Sequence, residues 1–351
     1  MKHLKLNLLV VLLTVFTVVA ITGCNNSMGT KEKVTTTYVE VKDFSGNVEK
    51  ITKPVNKVIT TYSLVPPFIY LLGEGEKFYF GNFFGISFYE LLDSKAKEKA
   101  MKGKSVNVEE IIKEDPNVVF SAYWQEGNKD IEQLRSLNIP VVSVNLEDVG
   151  NIKNTVLMLG KIFGKEESSN KIICYYDEIQ QEIESRLNKS TENKDIPKVL
   201  VIYYSGKEQS YMTFGGDMFQ SKLIELAGGI PVSKELSGKK NVDIEQIIKW
   251  NPDFIVIVQY DTPAKEIKEK ILKDSVWKNI KAVKEKKVFV GPNDGENWID
   301  PNPKWPLGLY WMAKILHTEN FTDFNLPSEA SKFYKEVFNI DFNKVKIEGD
   351  L

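Results

Sequence analysis

Several apolar runs in this 351-residue chain end in aromatic residues. Val58 to Thr61 leads into Tyr62, and Val118 to Ala122 leads into Tyr123 and Trp124. Val199 to Ile202 leads into Tyr203 and Tyr204, and Ile255 to Gln259 leads into Tyr260. Trp298 stands in the segment after the last run, Val288 to Val290. Each ring offers a flat apolar face with a polar edge, as a chelate or macrocycle requires of its container. If the runs are strands of open α/β sheets, their carboxyl ends border the ligand crevice. Tyr62, Tyr123, Trp124, Tyr204, Tyr260 and Trp298 are therefore the candidate ligand-binding residues.

Other chemistries find less material. Of two histidines, His3 lies in the leader and His317 at the end of an expected surface helix, so a histidine-rich transition-metal site is disfavoured. Asp294, Glu296 and Asp300 could bind a hard cation, but Pro292, Gly295 and Pro301 surround them and they read as a solvated loop. Gly73 and Gly75 follow a helix and lack a third glycine, so they form no dinucleotide loop. There is no phosphate-binding Gly-x-x-x-x-Gly-Lys motif and no Gly-x-Ser-x-Gly elbow. Neither an enzyme nor a bound cofactor is expected. The rival readings are a lipid-anchored enzyme with paired carboxylates on the same scaffold and a cell-surface sensor. A formal net charge of −2 gives no reason to expect nucleic acid. Arginine occurs only at 135 and 186, against abundant lysine, and this is read as base composition.

The first 23 residues read as a leader. Lys2 and Lys5 precede a 14-residue apolar run, Leu8 to Ile21, too short to span a bilayer comfortably and suited to a signal peptide. Ile21 to Cys24 resembles the lipobox of bacterial lipoproteins. That resemblance implies cleavage before Cys24, lipidation of Cys24, and anchoring on the extracytoplasmic face of the cell membrane. With Cys24 consumed, Cys174 has no partner for a disulfide and is read as a small packed hydrophobe.

The elements that must position the rings follow from periodicity. Residues 24–53 form a tether and a small hairpin, 54–150 a first lobe, 151–190 connecting helices, and 191–351 a second lobe. Strands are expected at Val55 to Thr61, Phe78 to Phe80, Val118 to Ala122 and Val141 to Val144. They recur at Val199 to Tyr203, Phe254 to Val258 and Val288 to Val290. Strands alternating with helices make the fold class α/β, two Rossmann-like lobes, each a parallel sheet flanked by helices. One long helix joins them, Glu166 to Asn188, with Ile172, Ile173, Tyr176, Ile179, Ile183 and Leu187 on one stripe. Val108 to Phe120 and Val242 to Val256 repeat one pattern, an acidic helix start, a Pro-ended loop and a buried strand.

These segments carry a family resemblance. Pro54 to Tyr62 with Leu71 to Gly73, Glu109 to Val119, Leu137 to Val142, Ile224 to Gly229, Asp274 to Val283 and Leu307 to Leu316 resemble class III substrate-binding proteins of ABC importers. The resemblance covers about residues 39 to 340. It implies two lobes hinged on a rigid helix, a ligand held between them, and delivery to a permease by a monomer. The ligands it implies are metal chelates, an iron–siderophore complex foremost, with haem, cobalamin or a bare metal ion as alternatives. It also implies an acidic docking residue on each lobe. Glu225 matches the second-lobe position. The first-lobe position, near Pro67 and Phe68, holds no carboxylate, leaving Glu74 or Glu76 as candidates.

Overall fold

The computed structural model describes residues 37–103, 107–188, 195–260 and 262–351. Cys24 and the leader lie outside the described residues.

The chain enters through an antiparallel hairpin, β1 (Tyr38–Lys42) and β2 (Val48–Thr52), which turns at Gly46 with φ 90°. The hairpin hides only Val41 and Ile51 fully, so polar contacts fix it as well. Asp43 accepts a hydrogen bond from the Ser143 backbone N–H at 3.1 Å, and the Arg135 guanidinium lies 3.3 Å from Glu49.

The first lobe runs β3 (Val58–Thr60), α1 (Pro66–Leu71), β4 (Phe78–Phe80), α2 (Ile86–Tyr89), α3 (Ala96–Gly103), α4 (Val108–Glu114), β5 (Val118–Ala122), α5 (Lys129–Ser136) and β6 (Val141–Val144). Its sheet has the order β4-β3-β5-β6, with every pair parallel. β5 and β6 are buried at every position, as strands covered by helices on both faces must be.

Two helices lead out of this lobe, α6 (Val149–Phe163), ended by Gly164 at φ 70°, and α7 (Glu166–Asn188). α7 buries Tyr176, Ile179 and Ile183, three or four residues apart. Tyr176 donates its hydroxyl to the Pro303 carbonyl at 2.7 Å and stacks on Phe333. The same phase turns Cys174 outward. It is exposed, which corrects the expectation of a packed thiol.

The second lobe runs β7 (Lys198–Ser205), β8 (Ser210–Phe214), α8 (Phe219–Leu226), β9 (Ile230–Pro231), β10 (Lys239–Val242), α9 (Ile244–Trp250), β11 (Phe254–Ile257), α10 (Ala264–Lys273), α11 (Lys281–Lys284), β12 (Val288–Val290), α12 (Trp305–Leu316) and α13 (Leu326–Phe338). β7, β11 and β12 pair in parallel as expected. Antiparallel β8 and β10 extend this sheet at one edge, and short β9 pairs with β7. β10 exposes Lys239, Lys240 and Asn241, so it lacks the apolar run that marks a central strand.

The repeat between the lobes is physical. Asn107 caps α4 by accepting from the Glu110 N–H, and Asp243 caps α9 by accepting from the Gln246 N–H. Each helix ends on a left-handed residue, Asp115 (φ 47°) or Asn251 (φ 43°), directly before a proline. β5 and β11 follow. One hydrophobic core runs through both lobes, joining Val58, Phe68 and Phe120 to Val199, Phe219 and Trp305.

Candidate functional site

The carboxyl ends of both sheets open onto one cleft of about 770 Å³. The first lobe lines it with Thr61 to Leu64 after β3, Asn82 and Phe84 after β4, Tyr123 to Gln125 after β5, and Glu147 after β6. The second lobe supplies Tyr203, Ser205 and Lys207 from β7 and its turn, Met218 and Gln220 at the start of α8, Lys239 on β10, Tyr260 after β11, and Asp300 after β12. Parallel strands on each side of a crossover place their ends at such a crevice.

Each lobe contributes an aromatic pair. Tyr62 meets Trp124 edge to face with centroids 4.9 Å apart, and Tyr123 meets Trp124 at 5.0 Å. Across the cleft Tyr203 meets Tyr260 at 4.9 Å, nearly perpendicular. Trp124 is 58% exposed and Phe84 is 50% exposed, so both have apolar surface available to a ligand. Tyr62 is buried, and its hydroxyl has no hydrogen-bond partner among the described residues. Burial pushes the Tyr62 phenol well above its usual range.

The cleft therefore gathers Tyr62, Tyr123, Trp124 and Tyr260. It does not gather Tyr204 or Trp298. Alternation along β7 sends Tyr203 to the cleft and Tyr204 to the opposite face, where it packs on Tyr211 at 5.3 Å. Trp298 has no exposed surface and gives its indole N–H to the Tyr334 hydroxyl at 3.1 Å. It completes the core.

The acidic segment is not a solvated loop. Asp294 and Glu296 are 5% exposed, and the ammonium of fully buried Lys304 sits 2.8 Å from each carboxylate. Tyr334 donates to Asp294 at 2.7 Å, and Tyr89, from the first lobe, donates to Glu296 at 2.8 Å. Burial works against the Lys304 ammonium, but the two carboxylates outweigh it and hold its pKa above the ordinary lysine value. Asp300 stands apart and borders the cleft. It accepts from Gln220 at 2.7 Å, Tyr260 at 2.8 Å and Asn297 at 2.9 Å, and burial still raises its pKa against these donors.

Glu147 reaches across the lobes to accept the Phe219 N–H, the first of α8, at 3.0 Å. Burial raises its pKa, and the Phe219 bond opposes the shift. Glu147 and Phe84 follow strand ends and could have been found by the rule that found Tyr62. Gln220 and Met218 sit at a helix start that nothing in the sequence marks as part of the cleft.

The docking candidates separate. Glu225 is exposed, with Lys222 at 3.5 Å. Glu74 is buried and paired to Lys77 and, at 3.1 Å, to Lys165, so it presents no free charge. That corrects its candidacy and leaves exposed Glu76. His317 approaches the Gly228 carbonyl, 3.2 Å from Nε2, on the far side of the second lobe from the cleft residues.

Comparison with known proteins agrees with this geometry. The family described as periplasmic binding protein matches residues 87–294, more than half of the chain. The molybdate-binding protein MolA of Haemophilus influenzae is 26% identical over 278 residues, covering 72% of this chain and 76% of that one. The iron-uptake system-binding protein of Bacillus subtilis is 27% identical over 321 residues, covering 86% and 92%. The solved structure of Haemophilus influenzae MolA bound to molybdate superposes with a TM-score of 0.73 at 22% identity, covering 88% of this chain and all of that one.

Proposed function

This chain belongs to the periplasmic binding protein family, the substrate-binding proteins of ABC importers, and from that premise we propose that it captures an iron chelate of the siderophore type and delivers it to a permease. The observation that carries the reading is the pair of aromatic walls. Tyr62 and Trp124 from one lobe and Tyr203 and Tyr260 from the other line a single cleft of about 770 Å³. That size suits a compact organic complex held by flat apolar contacts. The iron-uptake relative, matched along most of both chains, supports iron as the metal.

Tryptophan-fluorescence titration tests the reading, with Trp124 as the reporter in the cleft. A panel of ferric siderophores, haem and cobalamin should give saturable quenching by a ferric siderophore, and that complex should be recovered unaltered. Saturation by haem or cobalamin alone would replace the iron–siderophore assignment. Chemical conversion of the bound complex would favour the enzyme reading.

Two further parts of the proposal concern location. Lipid on Cys24 would hold the protein at the extracytoplasmic face, so Cys24→Ala should release it from salt-washed membranes. Continued quantitative sedimentation of the cleaved variant would rule that anchor out. Glu225 would face basic residues of the permease. Glu225→Lys should then lower uptake while leaving ligand affinity unchanged. An equal loss of affinity would place Glu225 in the fold or the cleft.

A further inference from the structure

Asp300 decides which hydrogen-bonding groups the cleft floor can offer. An ionised carboxylate only accepts, so every group that reaches it must turn a hydrogen toward it. Tyr260 does so with its hydroxyl at 2.8 Å, Gln220 with its amide nitrogen at 2.7 Å, and Asn297 at 2.9 Å. The consequence falls on the other side of these groups. The phenol oxygen of Tyr260 keeps only lone pairs. The amide of Gln220 must turn Oε1 away from Asp300, and that oxygen has no partner among the described residues although the residue is only 3% exposed. From the opposite lobe, Glu147 commits Oε2 to the Phe219 N–H, and Oε1 receives no hydrogen bond among the described residues.

Three acceptors thus border one cleft, on a floor whose best-placed hydrogens are already committed to Asp300. Of the three, the Gln220 oxygen is buried with no donor among the described residues, so a ligand that brings the hydrogen relieves that unmet bond. We propose that the cleft floor is an acceptor surface organised by Asp300, selective for a ligand whose inward face carries O–H or N–H donors or positive charge, and closed to bare oxyanions. This rests on the cleft being the ligand site. Lys207 and Lys239 do not reverse the polarity. Both line the cleft and are exposed, and the Lys239 ammonium lies 5.3 Å from the Tyr260 ring centroid, where it favours the ionised, acceptor-only forms of Asp300 and Glu147. They suit the outward, anionic part of a complex. The Tyr62 hydroxyl, buried and without a partner among the described residues, can donate or accept and serves either kind of ligand.

The molybdate-binding relative makes the distinction measurable. Calorimetric titration would use sodium molybdate, ferrioxamine B, whose linear trihydroxamate carries a free ammonium group, and the N-acetylated form of the same ferric complex. The variant is Asp300→Asn, which can itself donate and so frees the hydrogens of Tyr260 or Gln220 to face the cleft. The wild type should bind ferrioxamine B roughly tenfold more tightly than its acetylated form, the equivalent of about 1.4 kcal/mol. Asp300→Asn should lose most of that preference and should bind molybdate more tightly than the wild type does. Equal affinity of the wild type for the two ferric complexes would overturn the proposal and leave the iron reading standing. If neither ferric complex binds but Asp300→Asn still gains molybdate affinity, the iron reading fails and the acceptor floor stands. No gain of molybdate affinity in a folded Asp300→Asn overturns the acceptor floor whatever the iron complexes do. Should Asp300→Asn not fold, Gln220→Met removes one acceptor at similar volume. An unchanged discrimination between the two ferric complexes, or between either and molybdate, in that variant would overturn the proposal equally.

Discussion

Lys304 has no exposed surface, and two carboxylates and two aromatic rings enclose its ammonium. Nothing in the sequence marks it, because lysine is abundant and is almost always solvated. Asp294 and Glu296 looked solvated for a related reason, since the turn residues around them suggested a surface loop and their cation lies eight or ten residues on. Such a cluster tolerates no missing member, because an unpaired charge left inside costs far more than a surface pair contributes. Lys304→Ala should therefore lower the unfolding free energy by about 3–5 kcal/mol, as read by urea denaturation. A loss below about 1 kcal/mol would mean that the two carboxyls are neutralised or hydrated without the lysine. The two arginines show the same limit of composition. Base usage can explain how few there are, but not that Arg135 ties the hairpin to the first lobe, or that Arg186 reaches Asp323 at 2.7 Å across the helix packing.

At the scale of elements the sequence was legible wherever one period ran unbroken. The long helix, β4, β5, β6 and β12 form over the residues expected, because apolar spacing and Pro or Gly punctuation agree there. β8 and β10 escaped because a half-exposed edge strand carries little apolar signal. Tyr204 was misplaced by one residue of register, which in a strand is a change of face. Trp298 was misplaced because a loop position after a strand says nothing about depth. The repeat of α4–β5 and α9–β11 gives an independent check on the two-lobe reading. Asn107→Ala and Asp243→Ala remove equivalent caps, so each should cost about 1 kcal/mol in chemical denaturation. A cost at one site only would show that the two helices depend on their caps differently.

At the scale of the molecule, the lobes share a hydrophobic core and are tied across the divide by Glu147 to Phe219 and by Tyr89 to Glu296. Such a frame favours a small closing motion over a wide hinge swing, and a ligand should raise the melting temperature by mass action. The central claim is that the ligand is sandwiched between a ring from each lobe. It is tested most directly by the dissociation constants of wild type, Trp124→Ala and Tyr260→Ala for the ferric siderophore that titrates the wild type most tightly. Each truncation removes one aromatic anchor worth on the order of 1–2 kcal/mol, so each should weaken binding by roughly tenfold, with little change in the melting temperature of the free protein for exposed Trp124. Unchanged affinity in both variants, with early unfolding, would contradict the account and return these rings to the core.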